Sequence, residues 1–378
     1  MDLSYLPEDG LFDGNLGMSI YHFYHFMTYK DVKSYNKGVA ILNKVVENLE
    51  TESTLSNISI SYGLSGLGYT LSYLKELDII DIEIDDIIPG FDQLIYELSL
   101  DAVHDGNLGF SNGVSGVLHY FSRISSTKSL SGDLIDRVMS RTLSQEKGFH
   151  YPSEPVHLVK LGITQHYINF SMSHGLSGLI NVLLNYYQDA PNANLRSYLL
   201  TALDYILAHK KPIRFNEGEF CIFPSFIKDP DINDGQHYKE WYKSRLAWCI
   251  GDLNMAYLFT KAGMLLNEKE LLAIGNETGQ VTTKRKHGVE TKVDNPFFCH
   301  GTSGLAAVYK KLYQMTASGH YHESYRYWLD ETNTYFASDP GYGKASGALL
   351  NGSAGAKLFL LDERYNRQIN NWTSLLIP

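Results

Sequence analysis

Cysteine is scarce in this chain of 378 residues: there are 3, widely spaced and odd in number. That excludes a disulfide-stapled scaffold and points to a reducing, cytoplasmic compartment. Positive charge is also short. Lys and Arg total 32 against 42 Asp and Glu, a formal net charge of -10, which argues against a nucleic-acid partner. No run of about 18 apolar residues occurs, so no membrane span is expected. The start, Met1-Asp2-Leu3-Ser4-Tyr5, lacks the basic and apolar regions of a secretion signal. Strand-like alternation is weak: residues 81–85 alternate, but the stretch is short and reads as a loop leading into a helix. What remains is ordinary globular composition, 44% hydrophobic and 20% charged, in a chain long enough for a large core.

What the chain has in abundance is one short glycine phrase. It reads Asp13-Gly14-Asn15-Leu16-Gly17, Tyr62-Gly63-Leu64-Ser65-Gly66, Asn112-Gly113-Val114-Ser115-Gly116 and His174-Gly175-Leu176-Ser177-Gly178. It returns as Ile250-Gly251-Asp252-Leu253-Asn254, His300-Gly301-Thr302-Ser303-Gly304 and Asn351-Gly352-Ser353-Ala354-Gly355. The first glycines are 49, 50, 62, 76, 50 and 51 residues apart. A period near 50 marks stacked supersecondary units. Each phrase is followed by a segment apolar on most faces, as in Leu179-Ile180-Asn181-Val182-Leu183-Leu184, which suits a helix buried all round. Between phrases lies a one-sided stripe. Examples are Leu195, Leu199, Ala202, Leu203 and Ile206, and Val39, Leu42, Val45, Val46 and Leu49, the pattern of a surface helix facing a core. No polar capping repeat is evident, and the inner helices are too apolar to line an open concave surface. The expected fold is therefore all-α: an α/α toroid of seven inner and seven outer helices, forming one domain over residues 1–378. The widest gap, residues 212–240, is expected to be an ordered loop over one end of the ring.

In such a ring the helix N-termini gather at one end, and the residues just before each first glycine converge there. Two before the glycine stand Phe12, Ser61, Ser111, Ser173, Cys249, Cys299 and Leu350. One before stand Asp13, Tyr62, Asn112, His174, Ile250, His300 and Asn351. Units five and six are neighbours, which places Cys249 beside Cys299, with His300 next in the chain. Two thiols and an imidazole suit zinc, and three protein ligands leave a fourth position open, as in catalytic sites. His174, from the adjacent unit, is a fourth ligand, a general acid/base or a polar core residue. Arg245 either steers a negative group or caps a loop. Cys221 lies outside the register and reads as a plain buried or loop cysteine.

At these residues the chain resembles the lanthionine synthetase C family, the lantibiotic cyclases. The matching segments are Ser244-Arg245-Leu246-Ala247-Trp248-Cys249-Ile250-Gly251, Cys299-His300-Gly301-Thr302-Ser303-Gly304 and Ser171-Met172-Ser173-His174-Gly175-Leu176-Ser177-Gly178. The resemblance implies an α/α toroid that closes thioether rings in a dehydrated, ribosomally made peptide. It implies one zinc held by Cys249, Cys299 and His300, with His174 as the acid/base and Arg245 lining the active site. The chain departs from the family pattern twice: Gly109 stands where an aspartate is usual, and Ile250 where a tyrosine commonly follows the first zinc cysteine. Asp105 is the nearest replacement for the aspartate.

The implied reaction is zinc-dependent lanthionine or methyllanthionine formation, by addition of peptide Cys thiolates to dehydroalanine or dehydrobutyrine. The implied partners are the dehydrated precursor peptide and a dehydratase and transporter complex. Two other readings fit the same residues: a zinc thiol-transferase that adds glutathione-like thiols to dehydroamino acids, and a noncatalytic peptide-binding subunit of a modification complex. A toroidal glycosidase needs two facing carboxylates, and the ring register supplies only Asp13.

Overall fold

Every glycine phrase opens a helix. The seven that follow the phrases are α1 (Asn15–Tyr29), α3 (Leu64–Glu76), α6 (Val114–Phe121), α8 (Leu176–Asp189), α10 (Asp252–Leu265), α13 (Thr302–Thr316) and α16 (Ser353–Tyr365). The computed structural model describes residues 6–49, 55–146, 148–158, 163–214, 218–229, 242–286, 288–365 and 372–378. The seven helices form a closed ring in chain order, α16 packing on α1. They are buried as their composition requires: all of α6, and twelve consecutive residues of α10.

Outside them run α2 (Val32–Leu49), α5 (Phe91–Asp105), α7 (Lys128–Thr142), α9 (Ala193–Leu207), α11 (Lys269–Lys284) and α14 (Gly319–Ser338). Their inward stripes are those of amphipathic helices. Helix α9 buries Leu195, Leu199, Ala202, Leu203 and Ile206 together with Tyr198. In α2 the buried line is Ser34, Gly38, Ile41, Leu42 and Val45, turned slightly from the valine stripe because Gly38 sits against the Phe23 ring. Short helices α4 (Ile84–Ile87), α12 (Gly288–Thr291) and α15 (Pro340–Lys344) lie in the connections, and residues 81–83 form the expected loop into α4. The molecule is an all-α toroid. Among the described residues its outer layer has six long helices, and the seventh outer position, beside α16, holds none.

Two features depart from the all-helical pattern. The wide spacings around phrase four hold strands. A hairpin of β1 (Leu143–Ser144) and β2 (Gly148–Phe149) precedes a three-stranded antiparallel sheet of β3 (Glu154–Leu158), β4 (Ile163–Asn169) and β5 (Phe226–Lys228), in the order β3-β4-β5. Strand β5 belongs to the long loop, whose residues 215–217 and 230–240 lie outside the described ones. Second, residues 372–378 fill the bore. Tyr69 and His119 bond to the Ser374 carbonyl at 3.2 and 2.7 Å, Trp248 to that of Leu376 at 3.1 Å, and Tyr257 and Lys261 to Pro378 oxygen at 3.1 and 3.0 Å. Among the described residues no helix is long and apolar enough to cross a membrane.

Candidate functional site

The phrases are joined to one another by a closed ring of backbone hydrogen bonds. The Phe12 N–H donates to Ser61 O at 3.0 Å, Ser61 to Ser111 at 3.1 Å, Ser111 to Ser173 at 2.6 Å and Ser173 to Cys249 at 3.3 Å. Cys249 donates to Cys299 at 3.3 Å, Cys299 to Leu350 at 3.0 Å, and Leu350 closes the circle on Phe12 at 2.7 Å. These are the seven residues two before each glycine. The sequence register is thus a physical ring, and each member satisfies its neighbour's backbone in a place where water is largely excluded.

Two glycines in six of the seven phrases, and the first alone in phrase five, allow this construction. A Cβ on Gly175 would lie 2.2 Å from Asn169 O, and one on Gly178 would lie 2.1 Å from Met172 O. The connecting loop therefore crosses the first helical turn at backbone contact, which any side chain would prevent. Asparagines six residues before the glycine hold the loop's bend. The Oδ1 atoms of Asn57, Asn169 and Asn295 accept from the N–H two residues on, at 2.8, 2.9 and 2.9 Å. These are local turn bonds, and the sequence reading missed them, although asparagine recurs at that offset. Arg245 takes the same offset in phrase five.

Three layers result. The floor is the set three before each glycine: Leu11, Ile60, Phe110, Met172, Trp248, Phe298 and Leu349, all at most 1% exposed. Trp248 meets Phe12 edge-on at 6.3 Å and Phe298 at 6.2 Å. This layer also went unread, though its signal is a large apolar residue at one offset in all seven units. Above it lies the hydrogen-bonded ring with the two half-buried thiols. Above that is the polar rim, with Asp13, Tyr62 and Asn351 exposed and Asn112, His174, Ile250 and His300 half-buried.

The Cys249 and Cys299 thiols are near enough to act on one another. The neighbouring Cys299 holds the Cys249 thiol below its ordinary value, and the Cys299 thiol is pushed up. The Arg245 guanidinium is close enough to favour the anion on both and to disfavour charge on His300. Burial lowers the His300 and His174 imidazoles first of all; Asp294 and Asp13 act against that at His300. Asp13 is fixed across the ring's closing seam, accepting from Asn351 N at 2.9 Å and Nδ2 at 2.8 Å.

His174 follows Ser173, whose N–H reaches Cys249, and its own N–H bonds to Ser171 Oγ at 3.1 Å. Gly109 lies directly against it, since a Cβ there would be 2.9 Å from His174 O. Asp105 ends the outer helix α5 and is exposed, so it does not replace the aspartate. Cys221 is a buried thiol, as read. It donates to Ser244 O at 3.6 Å, and burial pushes its pKa up to about 12. Arg285, 1% exposed, donates to the same carbonyl at 2.8 Å and to Glu290 O at 2.5 Å. It thereby anchors the segment leading to Arg245. The buried Asp252 accepts from the Ile222 and Phe223 N–H groups at 2.8 and 3.1 Å, which ties the long loop to phrase five. Burial raises its pKa to about 6.

The structure thus gathers Cys249, Cys299, His300, His174 and Arg245 around one mouth. Among the described residues no three His, Cys, Asp or Glu side chains stand together in metal-holding geometry; the two thiols are the pair that act on one another. In donor chemistry the set fits zinc: two adjacent sulfurs, one of them favoured as thiolate, and an imidazole on the next residue.

Nisin cyclase has a similar structure. The superposition has a TM-score of 0.81 and covers 99% of this chain and 93% of that one, at 16% sequence identity. The family model for lanthionine synthetase C-like proteins matches residues 7–377. With its seven glycine phrases closed into one hydrogen-bonded ring, the chain belongs to the lanthionine synthetase C-like family.

Proposed function

We propose that the chain is a zinc-dependent lanthionine and methyllanthionine cyclase. Its substrate would be a dehydrated, ribosomally made precursor peptide, met in the cytoplasm beside the dehydratase and transporter that handle the same peptide. The observation that carries this reading is the thiol pair Cys249–Cys299, set in the backbone ring with His174 and Arg245 on the same rim. Cys249, Cys299 and His300 would hold zinc, the imidazole turning in to join the sulfurs. When bound, zinc would lower the pKa of an incoming peptide thiol toward neutrality.

The chain's own residues account for the rest. The polar rim receives the peptide, and the apolar floor keeps water from beneath it. The peptide sulfur forms a bond to the β-carbon of the dehydro residue while the carbon–carbon π bond opens into an enolate. Arg245 and the converging helix N-termini stabilise that negative charge. His174 delivers the proton to the α-carbon. Ring closure is an isomerisation, so atoms balance without a co-reactant.

The test uses a synthetic peptide with one cysteine and one dehydroalanine. Incubation with the full chain should abolish alkylation of the peptide by N-ethylmaleimide at unchanged peptide mass. The chain should carry about one zinc, and Cys299→Ala should lose most of it along with activity. His174→Ala should keep zinc and lose ring closure. Protein purified without chelator that holds no zinc, or a His174→Ala variant of full activity, contradicts the proposal. One observation favours a noncatalytic peptide-binding subunit: Gly109, packed on the His174 backbone, itself supplies no carboxylate to the imidazole. Peptide binding with zinc present but no loss of thiol would select that reading.

A further inference from the structure

The rim residues divide by exposure. Asn112, His174, Ile250 and His300 are half-buried, whereas Asn351, Asp13 and Tyr62, consecutive round the backbone ring, are exposed. Counted round that ring, phrase two stands opposite the thiol pair of phrases five and six, with phrase one beside it. Hydrogen-bonded extended neighbours lie ~4.8 Å apart, so a ring of seven is roughly 11 Å across, or about three residues of extended peptide. Asp13 is the one carboxylate among the rim positions, and it is held still. Its two oxygens accept from Asn351 N and Nδ2 at 2.9 and 2.8 Å. Both donors are neutral amides, and among the described residues no Lys or Arg side chain pairs with it. Its charge reaches Cys299 and His300, so it belongs to the same mouth. Tyr62 is 43% exposed. The loop leading to Asp13 passes against it: a Cβ on Gly10 would lie 2.6 Å from Tyr62 Cα and 2.9 Å from its Cβ.

We infer that Asp13 and Tyr62 form a subsite for a basic side chain of the substrate peptide, a Lys or Arg within about three residues of the reacting cysteine. The inference rests on the cyclase reading and adds a substrate preference to it. The bonds to Asn351 fix the carboxylate in advance, so little ordering is required when a cation arrives. Because those bonds come from neutral groups, the full negative charge remains on offer. The exposed phenol ring beside it adds a cation–π contact. The mouth is thus polarised across its width. Arg245 on the thiol side favours the anions formed in the reaction, and Asp13 on the opposite side holds the peptide's cation. A peptide bound this way lies across the ring with its basic residue turned away from the thiols.

Fluorescence anisotropy on the full chain tests this. The labelled probes have one cysteine, and alanine in place of the dehydro residue, so that no ring can form. One carries lysines two and three residues to either side of the cysteine; the other carries glutamines there. The wild type should bind the lysine probe about threefold to thirtyfold more tightly, the combined worth of an exposed ion pair and a cation–π contact. The net charge of -10 favours any basic peptide, so the variants decide the source. Asp13→Asn should remove most of the preference, and Asp13→Lys should reverse it. Tyr62→Leu leaves the Asn351 bonds intact, which keeps the test open if the Asp13 variants fail to fold. It should cut the preference by about twofold to fivefold. Equal binding of the two probes, no saturable binding, or a preference undiminished in either Asp13→Asn or Tyr62→Leu overturns the inference. Ring closure is read separately, with the dehydroalanine peptide. An Asp13-dependent preference without closure contradicts the cyclase reading and leaves the subsite standing; closure without a preference does the reverse.

Discussion

Arg245 occupies the place where four other phrases carry asparagine: Asn57, Asn107, Asn169 and Asn295. In three of those the amide bends the loop through a bond to the N–H two residues on. Phrase five has no such amide, and its bend is held instead by Arg285 on Ser244 O and by the left-handed Gly251 at φ 97°. Freed from the turn, the side chain at 245 brings positive charge to the thiols. That charge repels a metal cation but favours the anions formed during ring closure, so Arg245→Asn should separate the two effects. Zinc affinity should hold or rise, while kcat/KM for ring closure falls by about a hundredfold to a thousandfold, the usual worth of one lost donor to a transition-state anion. Zinc titration against a chelating dye and the alkylation assay read the two quantities separately. Loss of zinc in this variant would show that Arg245 builds the metal site rather than serving the reaction.

At the scale of elements, the glycine phrase is a joint between loop and helix. A methyl on Gly178 would lie 2.1 Å from Met172 O and 3.0 Å from Phe110 Cβ. Gly178→Ala must therefore lift the loop that carries Ser173 and His174 off α8. The expected cost is about 2–3 kcal/mol, typical of overpacking against backbone. It should appear as a lower midpoint in urea unfolding, whereas Ala at the exposed Gly319, which has open space, should leave the midpoint unchanged. The same joint explains what was legible beforehand. A recurring residue pair with a fixed steric task leaves a periodic mark, and the inner helices, the ring and the thiol adjacency all follow from it. The three-stranded sheet leaves no such mark. It is an insertion shared between two separate gaps, so its pairing of Ile168 with Ile227 joins residues about which local periodicity is silent. Spacings of 62 and 76 announced extra chain there, but not its conformation.

On the scale of the whole molecule, the ring has to be filled, and residues 372–378 fill it. Their carbonyls are taken by side chains from helices far apart in sequence, a pattern of backbone acceptors that composition does not reveal. Lys261 is the most exacting of these partners. Its Nζ donates to Asn181 O and to Pro378 oxygen, both at 3.0 Å, and it lies inside the wall at 8% exposure. Burial, with a smaller contribution from Lys311, lowers its pKa from 10.5 to about 7. In the unfolded chain the same amine keeps its proton to about pH 10.4. Between these values the unfolded state binds more protons than the folded one, so this group makes stability rise with pH. Its contribution is complete above the unfolded value and is lost as pH falls through about 7. Lys261→Met removes the group and with it that slope. From pH 7 to pH 10 the wild type should gain stability relative to the variant, by something on the order of 2–4 kcal/mol. Urea unfolding of both proteins across that range measures the difference directly. Curves that stay parallel would mean that Lys261 is charged throughout, its ammonium held by the bore's carbonyls strongly enough to cancel the cost of burial.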